Sequence, residues 1–147
     1  MSEGLFLEDL GVGRQVEVAH VVTDADIVKF AEASGDFNPV HLDEAYAQTT
    51  PFKGRIAHGM LSGAFISAAL ANKLPGPGSV YLAQSLKFKR PVRPGDEVVT
   101  RIEVTKLDER RGFVWLDTTC LVNGKAVVEG EAMVQAPRRA KAEGAVA

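Results

Sequence analysis

Hydrophobic and polar positions alternate in four segments of the second half of the chain, and this alternation predicts β-strands. The segments are Val80 to Phe88, Val98 to Val104, Phe113 to Val122 and Ala126 to Val134. Between the last two, Asn123-Gly124 is the strongest hairpin signal in the sequence. Near the start, β-branched residues at Arg14 to Val22 predict a further strand. We therefore expect an antiparallel sheet of one early and four late strands.

Two helices are predicted between the first strand and the other four. The first follows Thr23, a capping residue, and ends near Gly35, which suits a helix terminus. The second runs from about Ile56 to Leu74 and is apolar on every side, as is typical of a buried central helix. Its apolar stretch, IAHGMLSGAFISAALA, has 16 residues, fewer than the ~20 that a bilayer requires. No association with a membrane is therefore expected.

Together these elements predict one α+β domain, in which a curved antiparallel sheet wraps around the long central helix. The domain is expected to span residues 1–137, and a small, charged, flexible tail is expected at 138–147. Such a sheet has two unpaired edges. A homodimer that joins edges or buries the loop region would protect them, so we expect a homodimer.

Charge and cysteine content narrow the functional classes. Of the 147 residues, 17 are basic and 19 are acidic, which gives a net charge of −2. This balance lacks the basic excess of a nucleic-acid-binding protein. The single cysteine, Cys120, cannot form an internal disulfide and fits a reducing compartment. The first residues also lack the features of a signal peptide, so a cytoplasmic protein is expected.

The segment SGDFNPVHLD, residues 34–43, contains the first candidate chemistry. Asp36 and His41 would point well apart on a helix, because each residue turns the chain by about 100°. If they form an acid/base pair, an irregular loop around Pro39 must bring them together. Each also has a structural interpretation: Asp36 as a turn former and His41 as a residue that stabilises the loop. Asn38, which precedes the proline, is expected to hold the turn.

The start of the long helix contains the second set of candidates. The backbone N–H of Gly59 could hold a carbonyl oxygen as negative charge develops on it, although glycine here could simply permit close packing. His58 is interpreted as a core histidine with satisfied hydrogen bonds. Ser67, two turns into the helix, could bond a ligand or its own backbone. Ser62 is not included in the predicted site.

Other kinds of site are not indicated by the sequence. The three histidines lack metal-ligand spacing and no cysteine pair is present, so no metal is expected. No nucleophile elbow and no phosphate-cradling glycine loop occur either.

Two motifs carry a resemblance to a known family. D-F-N-P-V-H at 36–41, followed by R-I-A-H-G-M at 55–60, resembles the MaoC-like (R)-specific enoyl-CoA hydratases. The resemblance continues through Y-L-A-Q-S-L-K-F at 81–88 and P-V-R-P-G-D at 91–96, and it covers roughly residues 10–137. Within this family, the chain is similar to the short-chain members linked to polyhydroxyalkanoate synthesis. The implied structure is a hot-dog fold that forms a homodimer, with an acyl-CoA tunnel near the interface.

The resemblance also implies a reaction and roles for individual residues. The reaction is the reversible hydration of trans-2-enoyl-CoA to (R)-3-hydroxyacyl-CoA, without a metal or redox cofactor, because coenzyme A is part of the substrate. Asp36 and His41 would hold and activate one water. Gly59 would donate to the oxyanion and Ser67 would line the site, with Asn38 among the substrate-binding residues.

Three alternatives remain open from the sequence. A (3R)-hydroxyacyl-acyl-carrier-protein dehydratase would use the same chemistry on another carrier. A hot-dog acyl-CoA thioesterase would direct water at the thioester carbonyl instead of at C3. A non-catalytic acyl-CoA-binding protein is the third alternative, and the intact pair of Asp36 and His41 argues against it.

Overall fold

The computed structural model describes residues 4–139, which form one six-stranded antiparallel sheet, four α-helices and a short 3-10 helix at Leu7–Asp9. The strands are β1 (Gln15–Val21), β2 (Val80–Gln84), β3 (Lys87–Phe88), β4 (Glu97–Asp108), β5 (Phe113–Val122) and β6 (Lys125–Gln135). The helices are α1 (Asp24–Ser34), α2 (Pro39–Leu42), α3 (Glu44–Gln48) and α4 (Gly59–Asn72). The strand order is β1-β4-β5-β6-β2, and β3 pairs with β6. The expected α+β class is confirmed.

The central helix α4 packs against the inner face of the sheet. Buried and more exposed positions alternate along β4 and β5, as their sequence pattern predicts. From β4, Ile102 is fully buried, and so is Leu116 of β5. Ile66 and Leu70 of α4 join them in one core. Each such side chain contributes about 1.5–3 kcal/mol by leaving water. This core fixes the position of the first turn of α4.

Helix α4 begins three residues later than predicted, at Gly59 instead of Ile56. The reason is that the preceding backbone is bound elsewhere. Ile56 donates its N–H to the carbonyl of Val40 at 3.2 Å, and Ala57 donates to that of Val92 at 2.7 Å. His58 consequently occupies the N-cap position with extended backbone (φ −60°, ψ 134°).

The strand predicted from Val80 to Phe88 is divided in two. Its pairing with β6 shifts register between Tyr81 and Ala83, and β3 forms only after a break. At the break the backbone of Ser85 lies so close to Gly130 that a Cβ at position 130 would be 1.8 Å from the Ser85 carbonyl oxygen. The close approach of Ser85 to β6 therefore requires a glycine at position 130.

The first helix and the C-terminal segment complete the described chain. As predicted, Thr23 caps α1 and Gly35 ends it in a left-handed conformation (φ 80°). Residues 140–147 of the predicted tail lie outside the described residues, and the backbone of Arg139 donates to Glu8. Within residues 4–139, none of the helices is long and apolar enough to cross a membrane.

Candidate active site

The D-x-N-P-x-H segment connects α1 to α2 through a series of local hydrogen bonds. Asp36 accepts the N–H of Asn38 at 3.2 Å through its carboxylate. Asn38 in turn caps α2, because its side-chain oxygen accepts the N–H of Val40 at 3.1 Å. Pro39 occupies the first helical position, where its missing N–H has no cost. A one-turn helix thus forms where the sequence predicts an irregular loop, and it turns His41 inward.

The structure brings Asp36 and His41 together, and it adds His58 to them. A carboxylate oxygen of Asp36 and one ring nitrogen from each histidine all lie within 4.8 Å of one another. The rings of His41 and His58 are stacked, with centroids 3.8 Å apart and an interplanar angle of 27°. Asp36 is exposed to solvent whereas both histidines are buried. We call these three residues the acid–imidazole cluster.

His41 is held with one ring nitrogen bonded and the other free. Its Nδ1 lies 2.8 Å from the carbonyl oxygen of Ile56. Because a carbonyl only accepts, Nδ1 carries the proton and Nε2 of the neutral ring retains its lone pair. Burial lowers the pKa of His41 most strongly, and the charge of His58 also lowers it, while the bond to Ile56 and the charge of Asp36 raise it. The net direction is downward, which keeps His41 a proton acceptor near neutral pH.

His58 differs from the satisfied core histidine that the sequence suggests. It is 2% exposed, and its Nε2 donates to the backbone carbonyl of Asp36 at 3.0 Å. Its Nδ1 is buried and has no hydrogen-bond partner among the described residues. One signal could have identified it: only three histidines occur in the chain, and this one lies in the second of the two motifs.

An open cavity of about 410 Å³ adjoins the cluster. Six lining residues matter for its chemistry: Asp36, His58, Gly59, Ser62, Lys89 and Arg90. Gly59 is the first residue of α4, so its N–H has no acceptor within the helix and lies at the positive end of the dipole. A side chain there would be 2.7 Å from the ring of Phe88, so glycine fits this close approach.

The two serines of α4 line different cavities. Ser62, which the sequence interpretation left out, lines the cavity next to Gly59. Ser67 instead lines a separate open cavity of about 480 Å³ between α4 and β2. Within one chain, therefore, the structure does not bring Ser67 to the acid–imidazole cluster.

The donor set of the cluster suits a hydrogen-bonded water better than a metal ion. Imidazole lone pairs lie in the ring planes, and the planes of His41 and His58 are stacked with centroids 3.8 Å apart and an angle of 27° between them. A zinc ion bonded to both nitrogens at about 2.0–2.1 Å needs lone pairs that converge. One ring would have to turn away from the other, and its bond to a backbone carbonyl would break.

A central helix enclosed by one antiparallel sheet defines a hot-dog fold. The chain belongs to the MaoC-like domain family, whose pattern matches residues 8–125. Both motifs that carried the resemblance fall inside this range.

Individual relatives are similar over nearly the whole chain. The (R)-specific enoyl-CoA hydratase of Rhodospirillum rubrum is 53% identical over 134 residues, which cover 91% of this chain and 93% of that protein. The (R)-specific enoyl-CoA hydratase of Aeromonas caviae is 45% identical over 131 residues, which cover 88% of this chain and 98% of that protein. Among solved structures, unliganded R-hydratase PhaJ1 from Pseudomonas aeruginosa has a TM-score of 0.88 and 47% identity, covering 95% of this chain and 93% of that one.

Proposed function

We propose that the protein is an (R)-specific enoyl-CoA hydratase, which adds water reversibly to trans-2-enoyl-CoA and forms (R)-3-hydroxyacyl-CoA. The observation that carries this proposal is the acid–imidazole cluster beside an open cavity. Hydration of a conjugated double bond needs one group that takes a proton and one that orients the water. Asp36 and His41 supply both, and the relatives named above have the same activity in their names.

In the proposed mechanism, Asp36 takes a proton from water while the water oxygen bonds to C3. The lone pair on Nε2 of His41 accepts the other hydrogen of that water and orients it. Asp36 then delivers its proton to C2, so the hydroxyl remains on C3 and Asp36 returns to a carboxylate. A protonated His41 would have no lone pair for this task, and its lowered pKa keeps it neutral.

The start of α4 stabilises the charge that develops on the thioester oxygen. Gly59 lines the cavity and its N–H is the group that we assign to this oxygen. A single donor of this kind is worth about 3 kcal/mol in other enzymes. Asn38 uses its side-chain oxygen to cap α2, which leaves its NH2 group for the substrate, and we assign it a supporting role in binding.

The carrier is proposed to be coenzyme A, because Lys89 and Arg90 line the same cavity as Asp36. Their charges suit the phosphates of coenzyme A. Coenzyme A belongs to the substrate, and we propose that catalysis needs no metal and no separate cofactor. We also place the enzyme in the cytoplasm, since its single cysteine, Cys120, is buried as a free thiol.

Purified protein should hydrate crotonyl-CoA to (R)-3-hydroxybutyryl-CoA, and EDTA should not inhibit it. Loss of enoyl absorbance measures the rate, and chiral chromatography of the product determines its configuration. Release of free coenzyme A instead of the alcohol would indicate a thioesterase. Much faster turnover of crotonyl-acyl-carrier protein would indicate the dehydratase, and no turnover of either would indicate a binding protein.

Ser67→Ala should change kcat/KM for crotonyl-CoA by less than about tenfold. Ser67 lines a different cavity from Asp36, so its loss removes at most one ordinary hydrogen bond, worth about 0.5–1.5 kcal/mol. The measurement is kcat/KM beside a melting curve for wild type and variant. Complete inactivation of a folded Ser67→Ala protein would show that this serine acts directly in the reaction.

We propose that the protein is a homodimer in which β2 is part of the interface. β2 lies at the edge of the sheet, and Val80, Tyr81 and Leu82 are 53%, 41% and 45% exposed. Met60 exposes another apolar side chain on α4. An apolar edge strand is a template for pairing, and an isologous contact between two copies would cover it.

Wild type should sediment at twice the 15.7 kDa mass of the chain, and Leu82→Lys should shift it toward the monomer. A lysine on an edge strand opposes pairing because its charge would be buried between two copies. Val12→Lys is the matched control, since Val12 is 68% exposed and precedes β1. A monomeric wild type, or a Leu82→Lys protein that stays dimeric at micromolar concentration, would contradict an interface at β2.

A further inference from the structure

We infer that His58 is a positioning residue for the hydration reaction, which holds the backbone of Asp36 and the ring of His41 at the same time. The inference rests on the proposed function, in which Asp36 and His41 act on one water. In that mechanism His58 moves no proton. Its contribution would come through the geometry of the two residues that do act.

The first contact fixes the loop that carries Asp36. Nε2 of His58 donates to the carbonyl of Asp36 at 3.0 Å across 22 positions of sequence. Among residues 4–139, the other hydrogen bonds of Asp36 reach only Ser34 and Asn38, which are its close neighbours in the chain. His58 is therefore the hydrogen-bonding contact that ties this exposed loop to the start of the central helix.

The second contact fixes the plane of His41. The two imidazoles are stacked at 3.8 Å, and the ring of Phe30 contacts His58 with centroids 4.9 Å apart. His58 is the N-cap residue of α4, so the start of that helix determines where its ring lies. A rotation of the His41 ring away from the water would have to disrupt this stack.

An unpaired buried nitrogen distinguishes His58 from a residue that only fills space. With the proton on Nε2, the Nδ1 lone pair is buried and has no partner among the described residues. Such an atom costs free energy that a phenylalanine or leucine would avoid. The stack, the bond to Asp36 and this cost together point to a role beyond core packing.

Charge provides a second route from His58 to the reaction. Asp36 and His58 are the titratable groups whose charges act on His41, in opposite directions, and Lys89 and Arg90 line the adjoining cavity. Burial lowers the pKa of His41 most, and His58 lowers it further. When both imidazoles carry a proton their charges repel each other, so replacing His58 with an uncharged glutamine removes that repulsion and should raise the pKa of His41.

Two variants separate the contacts. His58→Phe keeps an aromatic ring against His41 but loses the N–H to Asp36, whereas His58→Gln keeps an N–H donor and loses the ring. We expect His58→Phe to lower kcat/KM for crotonyl-CoA by about 10–100-fold because it removes the N–H that holds Asp36, and this is the range seen at metal centres when a hydrogen-bond partner that orients a ligand is removed. His58→Gln should retain more activity, because it keeps the donor for Asp36.

The pH profile provides a readout on His41 itself, and a melting curve of each variant measures any loss of packing separately. Neutral His41 is the active form, so kcat/KM falls as pH decreases through its pKa in the free enzyme. Because that pKa should rise in His58→Gln, the acid limb of its profile should move to higher pH, whereas in His58→Phe the apolar ring adds to the burial of His41 and opposes the rise. NMR of 15N-labelled histidine should show the same upward shift for His41 in His58→Gln, and this measurement requires no activity.

His20→Gln is the matched control. His20 also stacks on an aromatic ring, Phe65 at 4.4 Å, and bonds a carboxylate, Asp26 at 2.9 Å, but it does not line the cavity of the cluster. His20→Gln should leave the acid limb of the kcat/KM profile at the same pH as in wild type. Folded His58→Phe and His58→Gln proteins with wild-type kcat/KM and an unchanged titration of His41 would overturn the inference. An inactive wild type would overturn the proposed function, and a shifted His41 titration in His58→Gln would then still show that the two rings are coupled.

Discussion

Asp36→Asn should lower kcat for crotonyl-CoA hydration by at least about 100-fold, the usual scale for a positioned acid/base group. The asparagine keeps an oxygen that can accept the N–H of Asn38, as Asp36 does at 3.2 Å, so the loop geometry should persist. An amide cannot take the proton of the attacking water. The measurement is single-substrate kinetics at saturating crotonyl-CoA, together with a melting curve and the sedimentation mass.

Asp43→Asn is the matched control for this prediction. Asp43 is also exposed and also accepts a backbone N–H, that of Tyr46 at 3.1 Å, but at the start of α3 and outside the cavity lining. It should retain wild-type kinetics. A folded Asp36→Asn protein with activity within tenfold of wild type would remove Asp36 from the mechanism.

The alternation of hydrophobic residues predicts β4, β5 and β6 well because one face of each packs on a helix. β5 has the predicted bounds, Phe113–Val122, and the hairpin at Asn123-Gly124 connects it to β6. β2 does not follow this rule, since its residues are exposed rather than buried on one face. The division of the predicted strand at Ser85 depends on contact with Gly130, which lies 45 positions later in the chain.

The start of α4 shows a second limit of local sequence patterns. Residues 56–58 continue the predicted helix, yet the N–H groups of Ile56 and Ala57 bond to the carbonyls of Val40 and Val92. Those partners are distant in sequence, so no periodicity reveals them. The same distant bonds place His58 at the N-cap, and this explains why an apparent core histidine joins the site.

The two serines show why a helix position cannot be assigned to a cavity from sequence alone. Ser62 and Ser67 are five residues apart, which separates their directions by about 140° around a helix. In this structure they line different cavities. The packing of Leu61, Ile66 and Leu70 against the sheet decides the rotation of α4, and it turns Ser62 toward the acid–imidazole cluster.

His41→Gln should also lower kcat by at least about 100-fold, and it should change how stability depends on pH. Glutamine can still donate to the carbonyl of Ile56, which His41 bonds at 2.8 Å, so the fold should persist. It lacks the rigid ring that directs a lone pair at the water. Residual activity should lose the acid limb that the titration of His41 causes.

The sign of the stability effect follows from the lowered pKa of His41. Its ordinary value is 6.5, and burial holds the folded-state pKa below this. Between the two values the unfolded chain binds more protons, so the stabilisation of neutral His41 is fully present above pH 6.5 and is lost as pH falls through the folded-state pKa. His41→Gln has no such loss.

The free energy of unfolding of wild type, measured relative to that of His41→Gln, should therefore decrease as the pH falls from 7.5 toward about 5. Urea unfolding at several pH values measures it, and other titrating groups largely cancel because both proteins contain them. A difference that stays constant over this range would mean that His41 has the same pKa in the folded and unfolded chains. If His41→Gln lost kcat but the difference in unfolding free energy did not depend on pH, the loss of activity would come from poor orientation of the water. It would not come from the loss of an imidazole that burial keeps neutral.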